Sequence, residues 1–175
     1  MRIEGLVVNP LQEFEIDPER GFLPSPDPLD DLPTEFEPWE AIAHELPKRL
    51  VAGKGRSAVK SLPLLDAAKL SDDPQRRRAM QILSFLGHAY MWGESEPVDQ
   101  IPACLAVPWF EIAKHLGRPP VLSYPSYALD NWRRIDPKDP IALGNIVLVQ
   151  NFLGGLDEEW FILVQSLLRP GLARL

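Results

Sequence analysis

Proline is the feature that most restricts how this chain can fold. The sequence contains 19 prolines, and eight of them precede residue 48. Because proline fixes φ and has no N–H to donate, the segment from Asn9 to Pro38 cannot form a long helix or a central strand. Apolar side chains nevertheless recur along it, at Phe14, Ile16, Phe22, Leu23, Leu29, Leu32 and Phe36. We therefore predict that residues 1–36 form an extended arm, anchored on a helical body by these side chains.

Helical periodicity and capping residues predict a mainly α protein after the arm. The clearest helix lies in DDPQRRRAMQILSFLGHAYMWG, where Asp72 or Asp73 caps, Pro74 occupies the first turn and Gly93 ends the helix. The other predicted helices run from Thr34 to Gly53 with a kink or break at Pro47, Arg56 to Leu62, Pro108 to His115, Ser126 to Trp132, and through IALGNIVLVQNFLGG and DEEWFILVQSLL. Strand-like alternation is nearly absent, and NIVLV is assigned to a helix.

Charge and cysteine content restrict the class of protein. The net charge is −7 and the basic residues form no long stripe, so we expect neither nucleic acid nor an anionic membrane as a partner. The single cysteine, Cys104, excludes an internal disulfide framework. The N-terminus MRIEGLVVNP lacks the apolar region of a signal peptide, so a cytoplasmic location is expected.

Motifs of self-contained active sites are missing from the sequence. There is no GxSxG, GxGxxG or P-loop, no HxxxH and no CxxC, so no catalytic residue and no protein-only metal site is predicted. His44 is expected on a solvated helix face, His115 at a helix C-terminus, and His88 within the core.

Aromatic side chains are the one group of residues in this sequence that could form a ligand pocket. They can form a plain core or the walls of a cofactor or ligand pocket, and their spacing alone favours the core. The relevant residues are Trp92, Trp109, Phe110, Tyr124, Tyr127, Trp132, Trp160 and Phe161.

Six collinear blocks of sequence carry a resemblance to a known family. They are FEIDPERGFLPSPDPLDDLP, EPWEAIAHELPKRLVAG, AYMWGE, IPACLAVPW, LGRPPVLSYPSYALDNWRRIDPKDP and NFLGGLDEEWFILV. In this order and spacing, over residues 10–165, they resemble the N-terminal part of the indoleamine 2,3-dioxygenase family, especially its bacterial members.

The resemblance implies a fold, an activity and a cofactor. Family members use haem b to insert both atoms of O2 across the indole C2–C3 bond of tryptophan, giving N-formylkynurenine. A small helical N-terminal domain, here residues 37–165, covers the distal side of the haem, which lies in a larger helical domain. By the same resemblance, the expected substrate-pocket residues are Tyr124, Tyr127, Ala128, Phe161 and Ile162.

The resemblance also implies how the residues around the pocket are arranged. Phe161 is expected to stack on the indole, and Gln165 stands on the distal haem side, where the family usually has a small hydroxyl or a histidine. Trp132 should pack inward, whereas Arg133, Arg134 and Asp136 should face solvent.

The expected partner of this small domain is the C-terminal haem domain, because the family's axial histidine and substrate-binding arginine belong there. Residues 166–175 diverge from the family pattern, so we expect a truncated or frameshifted product that is inactive alone. Two alternatives stay open. In the first, the chain is a stand-alone module that binds an indole or docks on a full-length paralogue. In the second, His88 or His115 supplies an unusual axial ligand.

Overall fold

The computed structural model describes residues 16–168 and confirms the mainly helical class. In this range the α-helices are α1 (Glu37–Val51), α2 (Gly55–Lys60), α3 (Asp73–Trp92), α4 (Ala103–His115) and α5 (Leu156–Leu168). The shorter elements are 3-10 helices at Thr34–Phe36 and Ala67–Lys69, a π-helix at Pro125–Leu129, and the strands β1 (Arg133–Arg134) and β2 (Ile146–Val147). No helix among the described residues has the length and apolarity needed to cross a membrane.

Helix α3 is the central element, because α1, α2, α4 and the π-helix all pack against it. Its boundaries follow the prediction: the Asp72 carboxylate accepts the Gln75 N–H at 2.9 Å, Pro74 lies in the first turn, and Gly93 ends the helix. Every residue from Arg78 to Gly87 is buried. A helix buried on all sides is the axis of a core and not an amphipathic surface helix.

Two clusters of apolar side chains form the interior. The larger joins α1, α2, α3 and α4, and within it Phe36 and Trp39 stack with ring centroids 5.1 Å apart. The smaller joins the arm, β2 and α5 around Trp132 and consists of Leu23, Trp132, Ile146 and Leu163. The prediction that Trp132 packs inward is confirmed, since none of its surface is exposed.

A buried ion pair crosses the larger cluster. Arg78 of α3 donates to Glu40 of α1 through Nε, 3.0 Å from Oε1, and through Nη2, 2.5 Å from Oε2. Oε1 also accepts the Leu32 N–H at 2.9 Å, and Arg78 Nη1 donates to Gln81 Oε1 at 2.8 Å. One carboxylate therefore joins the arm, α1 and α3.

The described part of the arm is irregular before Thr34 and begins with a tight turn, in which the backbones of Asp17 and Gly21 exchange two hydrogen bonds of 2.8 Å. Leu23, Leu32 and Phe36 are buried. Phe22 does not anchor it, since 43% of its surface is exposed. The predicted anchor Phe14 lies outside the described residues.

An ionic contact also holds the arm. Asp27 accepts from Arg20 and from Arg134 of β1, each at 2.7 Å. Arg134 is therefore half-buried, whereas Arg133 and Asp136 are exposed as predicted.

Several helix boundaries differ from the sequence prediction. Thr34 does not cap α1, which begins at Glu37. Pro47 lies inside α1 without ending it, and α4 starts at Ala103 with Pro108 in its interior. Burial of the neighbouring Leu46, and of Leu105 and Trp109, offsets the local cost of the prolines.

The predicted helix over residues 141–155 is wrong. Ile146 and Val147 pair instead with Arg134 and Arg133 in an antiparallel register. Burial of Ile146 against Trp132 stabilises this pairing, and the β-branched residues suit it. The predicted cap at Ser126 is also wrong, because its buried Oγ has no partner among the described residues.

Gly87 allows α3 and α4 to approach closely. A Cβ at this position would lie 2.4 Å from Cζ3 of Trp109. We expect Gly87→Ala to lower the free energy of unfolding by about 2 kcal/mol through overpacking. Gly55→Ala is the matched control, because its Cβ meets Leu50 Cδ2 at an ordinary 3.4 Å and alanine favours the helix. Urea denaturation of both variants measures the difference; equal stabilities would contradict this packing.

The buried ion pair gives a second prediction. Glu40→Gln leaves the Arg78 charge in the core without its counter-ion, and we expect a loss of about 3–5 kcal/mol in unfolding free energy. Glu45→Gln, in the same helix, breaks only an exposed pair with Lys48, so its unfolding curve should overlay the wild type. Coincident urea midpoints for the two variants would show that the pair is not structural.

Candidate functional site

The candidate site lies where the π-helix meets α5. The π-helix follows Tyr124, and its i→i+5 hydrogen bond joins the Asp130 N–H to the Pro125 carbonyl at 2.8 Å. Such π-turns are rare and frequently occur at functional sites. The widened turn stands beside α5, so two segments that are distant in sequence form one surface.

Hydrogen bonds fix the two helices to each other. Tyr124 Oη lies 3.2 Å from both the carbonyl oxygen and Oε1 of Gln165, to which it donates. Ser166 Oγ lies 2.9 Å from the Ala128 carbonyl and 3.0 Å from the Ile162 carbonyl of its own helix. The structure therefore brings Tyr124 and Gln165 together, and places Ala128 against α5.

Tyr127 lies beside the buried ring of Phe85, with centroids 5.9 Å apart and planes inclined by 23°. Burial raises the pKa of its phenol above the usual 10, and the negative charge of Glu158 raises it further. The phenol is accordingly neutral at pH 7.

Burial separates the predicted pocket residues into two groups. Ala128 and Ile162 are buried in the contact between α5 and the π-helix, so their contact with a substrate stays a prediction. Phe161 is 58% exposed, as is its neighbour Trp160. Phe161 and Gln165 are four residues apart in α5 and therefore share one helix face.

The loop between β2 and α5 completes the site. Its contribution was not predicted from the sequence. Gln150 and Asn131 exchange two hydrogen bonds of 2.8 Å, between the Gln150 N–H and Asn131 Oδ1 and between Asn131 Nδ2 and the Gln150 carbonyl. Gln150 Nε2 also donates to the Ala43 carbonyl of α1 at 3.0 Å. These bonds were not predicted, because residues 141–155 were assigned to a helix. The sequence around Gln150 contains no motif that indicates them.

The polar loop has an aromatic counterpart. Phe152 packs on Phe85 with ring centroids 4.6 Å apart, so Phe85 contacts both Phe152 and Tyr127. The carboxylate of Glu158 accepts the N–H groups of the loop. Asp157, Glu158 and Glu159 all lie in the first turn of α5 and all favour the helix dipole, so their sequence does not distinguish Glu158 from its neighbours.

The three histidines have partners away from this surface. His44 Nε2 lies 3.5 Å from Asp31 and 3.8 Å from Glu40, and His115 lies 3.4 Å from Asp73. The prediction of an exposed His44 and of His115 in the last turn of α4 is confirmed.

His88 is half-buried, and its Nδ1 lies 3.0 Å from the Ser84 carbonyl. None of the three histidines among the described residues is bonded to a residue of the junction between α5 and the π-helix, so this junction has no axial haem ligand of its own.

One group of described residues has the spacing of metal ligands. The ligand atoms of Asp31, Glu40 and His44 lie within 4.8 Å of one another. Both Glu40 oxygens already accept from Arg78, however, so a cation would compete with that guanidinium. The group is explained as part of the buried ion-pair network.

Comparison with known proteins gives one family. A model of the family described as indoleamine 2,3-dioxygenase matches residues 10–169. Human indoleamine 2,3-dioxygenase 2 is 36% identical over 171 residues, which cover 94% of this chain and 42% of that protein. Indoleamine 2,3-dioxygenase of Saccharomyces cerevisiae is 37% identical, over 88% of this chain and 36% of that protein.

A protein of different name is similar to the same extent. The myoglobin of Haliotis diversicolor is 35% identical over 94% of this chain and 42% of its own length. The chain therefore spans about two fifths of the length of the curated relatives it matches.

The bond between α5 and the π-helix can be tested by Ser166→Ala. The variant removes a buried hydroxyl that joins two elements, and we expect it to lower the free energy of unfolding by about 1 kcal/mol. Ser84→Ala is the matched control, since among the described residues Ser84 Oγ bonds only the Met80 carbonyl of its own helix. Chemical denaturation should rank Ser166→Ala below Ser84→Ala; the reverse order would contradict the inter-element bond.

Proposed function

The chain belongs to the indoleamine 2,3-dioxygenase family, and we propose that it forms the small helical domain that covers the distal side of haem in a tryptophan-cleaving dioxygenase. The single observation that carries this proposal is the convergence of Tyr124, Phe161 and Gln165 at the junction of α5 and the π-helix. Family membership supports the activity, and this convergence supports the location of the substrate.

The surface has the properties that an indole substrate requires. A flat aromatic molecule is oriented by aromatic walls, and the exposed ring of Phe161 supplies one. The phenol of Tyr127 is neutral, so it adds no charge to the proposed substrate pocket. Tyr124 holds the Gln165 amide in place, and an amide both donates and accepts hydrogen bonds. We propose that Tyr124, Tyr127, Ala128, Phe161 and Ile162 line the substrate pocket and that Gln165 faces the haem.

The residues named here bind and orient the substrate and exclude water from it. Haem, when bound, supplies the activation of O2. Because the described histidines have partners elsewhere, we propose that the axial ligand comes from the part of the family's architecture that follows this domain, in the same protein or in a full-length paralogue.

The same reasoning assigns the remaining parts of the chain. We propose that residues 37–165 are the covering domain and that residues 1–36 are an arm on it. Residues 166–175 diverge from the family pattern in sequence, yet Ser166 is bonded to the domain through the Ala128 carbonyl, and residues 169–175 lie outside the described residues. Leu23, Leu32 and the contacts of Asp27 support the assignment of the arm. A cytoplasmic location is also proposed, and a single cysteine fits a reducing compartment.

An oxygen-binding protein is the second candidate, because a relative named myoglobin is about as similar as the relatives named dioxygenases. The two functions differ in product. A dioxygenase releases N-formylkynurenine from tryptophan, whereas an oxygen-binding protein returns O2 unchanged. Product analysis with the haem domain present discriminates between them.

The location of the substrate can be tested with two matched phenylalanines. Phe161→Ala should weaken L-tryptophan binding to the chain about three- to tenfold, the loss expected for one aromatic stacking partner. Phe110→Ala is the control, because Phe110 is 60% exposed, like Phe161, but lies on α4. Titration calorimetry measures both affinities. Equal losses in the two variants, or no binding by the wild type, would contradict the proposed pocket.

The proposed origin of the axial ligand has its own test. The 175-residue chain, mixed with haemin and a reductant, should form no N-formylkynurenine from tryptophan and oxygen. Chromatography of the reaction mixture detects the product. Turnover by the chain alone would mean that it supplies the ligand itself, and His88→Ala and His115→Ala variants would then identify it.

A further inference from the structure

The carboxylate of Glu158 is hydrogen-bonded in an unusual way for the first turn of a helix. Its Oε1 accepts the Phe152 N–H at 2.7 Å, and its Oε2 accepts the N–H groups of Leu153 at 2.9 Å and Gly154 at 3.1 Å. An acid at this third helical position ordinarily reaches back only to the residue before the helix. Glu158 reaches beyond it and holds three successive residues of the preceding loop.

The loop can adopt this path because Gly154 has φ +74°, a conformation that glycine takes without strain. The three N–H groups then point at one carboxylate. Hydrogen bonds to a charged acceptor are about twice as strong as neutral ones, so the loop is held firmly to α5.

The held loop supports the site through aromatic packing. Phe152 lies on one side of the buried Phe85 ring, at 4.6 Å, and Tyr127 lies near the same ring, at 5.9 Å. Because Phe85 belongs to the interior of α3 and is fully buried, it can move only into space that one of its neighbours, such as Phe152, gives up. A shift of Phe152 therefore changes the surface against which the Tyr127 ring rests.

Glu158 also lies on the stripe of α5 that carries the proposed pocket. Residues three, four and seven positions further along a helix share its face, and here these are Phe161, Ile162 and Gln165. The carboxylate is close enough to Tyr127 for its charge to raise the pKa of the phenol.

We infer that Glu158 is a positioning residue for the proposed indole pocket, holding Phe152 against Phe85 and thereby fixing the ring of Tyr127. The inference rests on the proposed function for the identity of the ligand. The coupling between Glu158, the loop and Tyr127 does not depend on it, and can be measured without substrate.

The test uses three variants of the full chain. Glu158→Gln removes the charge and one acceptor oxygen, while Glu158→Asp keeps the charge but shortens the reach to the loop. Asp157→Asn is the matched control, because Asp157 is exposed in the same turn and makes no hydrogen bond through its side chain to the described residues.

Two NMR measurements report on the protein without ligand. In Glu158→Gln, amide exchange at Phe152, Leu153 and Gly154 should accelerate about tenfold or more, since each amide loses a charged acceptor. The phenol pKa of Tyr127, followed with labelled tyrosine, should fall, because removal of a nearby negative charge favours ionisation. In Asp157→Asn both measurements should match the wild type.

Glu158→Asp separates position from charge. It should exchange its loop amides quickly, like Glu158→Gln, while the pKa of Tyr127 stays raised. If L-tryptophan affinity falls about three- to tenfold in both Glu158 variants, the loss follows loop position, as we infer. If only Glu158→Gln loses affinity, the effect is electrostatic and the positioning role is overturned.

Failure of this inference can be distinguished from failure of the proposed function. Unchanged amide exchange and an unchanged pKa of Tyr127 in Glu158→Gln would overturn the positioning role even if tryptophan binds. Absence of tryptophan binding by the wild type, together with the expected changes in exchange and pKa, would instead contradict the proposed ligand and leave the coupling established.

Discussion

The pairing of Glu40 with Arg78 is the interaction on which the rest of the structure depends. A guanidinium inside an apolar cluster is tolerated only when its charge and its donors are satisfied, and Glu40 and Gln81 satisfy them. Because Glu40 also accepts the Leu32 N–H, the same carboxylate determines where the arm joins α1 and α3. The arm contributes few regular hydrogen bonds of its own, so its path follows from this pair and from buried side chains such as Leu23.

The candidate site is built outward from the core that this pair stabilises. Phe85 of α3 supports Phe152 on the loop and Tyr127 on the π-helix, and hydrogen bonds from Tyr124 and Ser166 attach α5. A ligand surface requires side chains held in one geometry, and here rigid helices hold most of them. The loop before α5 lacks such support, and the Glu158 carboxylate compensates for it. The contacts that are proposed to position the substrate-binding side chains are therefore also contacts that stabilise the fold.

Prediction from sequence succeeded where local signals agree with each other. Asp72, Pro74 and Gly93 mark the ends of α3, and both ends were correct. The segment DEEWFILVQSLL was also correctly predicted as a helix. Prediction failed over residues 141–155, because NIVLV fits a helix or a strand equally well until its partner is known. It failed again at Pro108, where burial on α3 outweighs the local preference of proline.

The sequence by itself determined the helical class, the ends of α3 and the family, because periodicity, caps and collinear motifs are local properties of the chain. Only the tertiary structure decided that Ile146 and Val147 pair with β1, that Tyr124 bonds Gln165, and that Glu158 holds a loop. The physical reason is that each of these contacts joins groups whose separation depends on the packing of other elements. The sequence around a carboxylate near the start of a helix does not indicate which N–H groups it will bond in the folded protein.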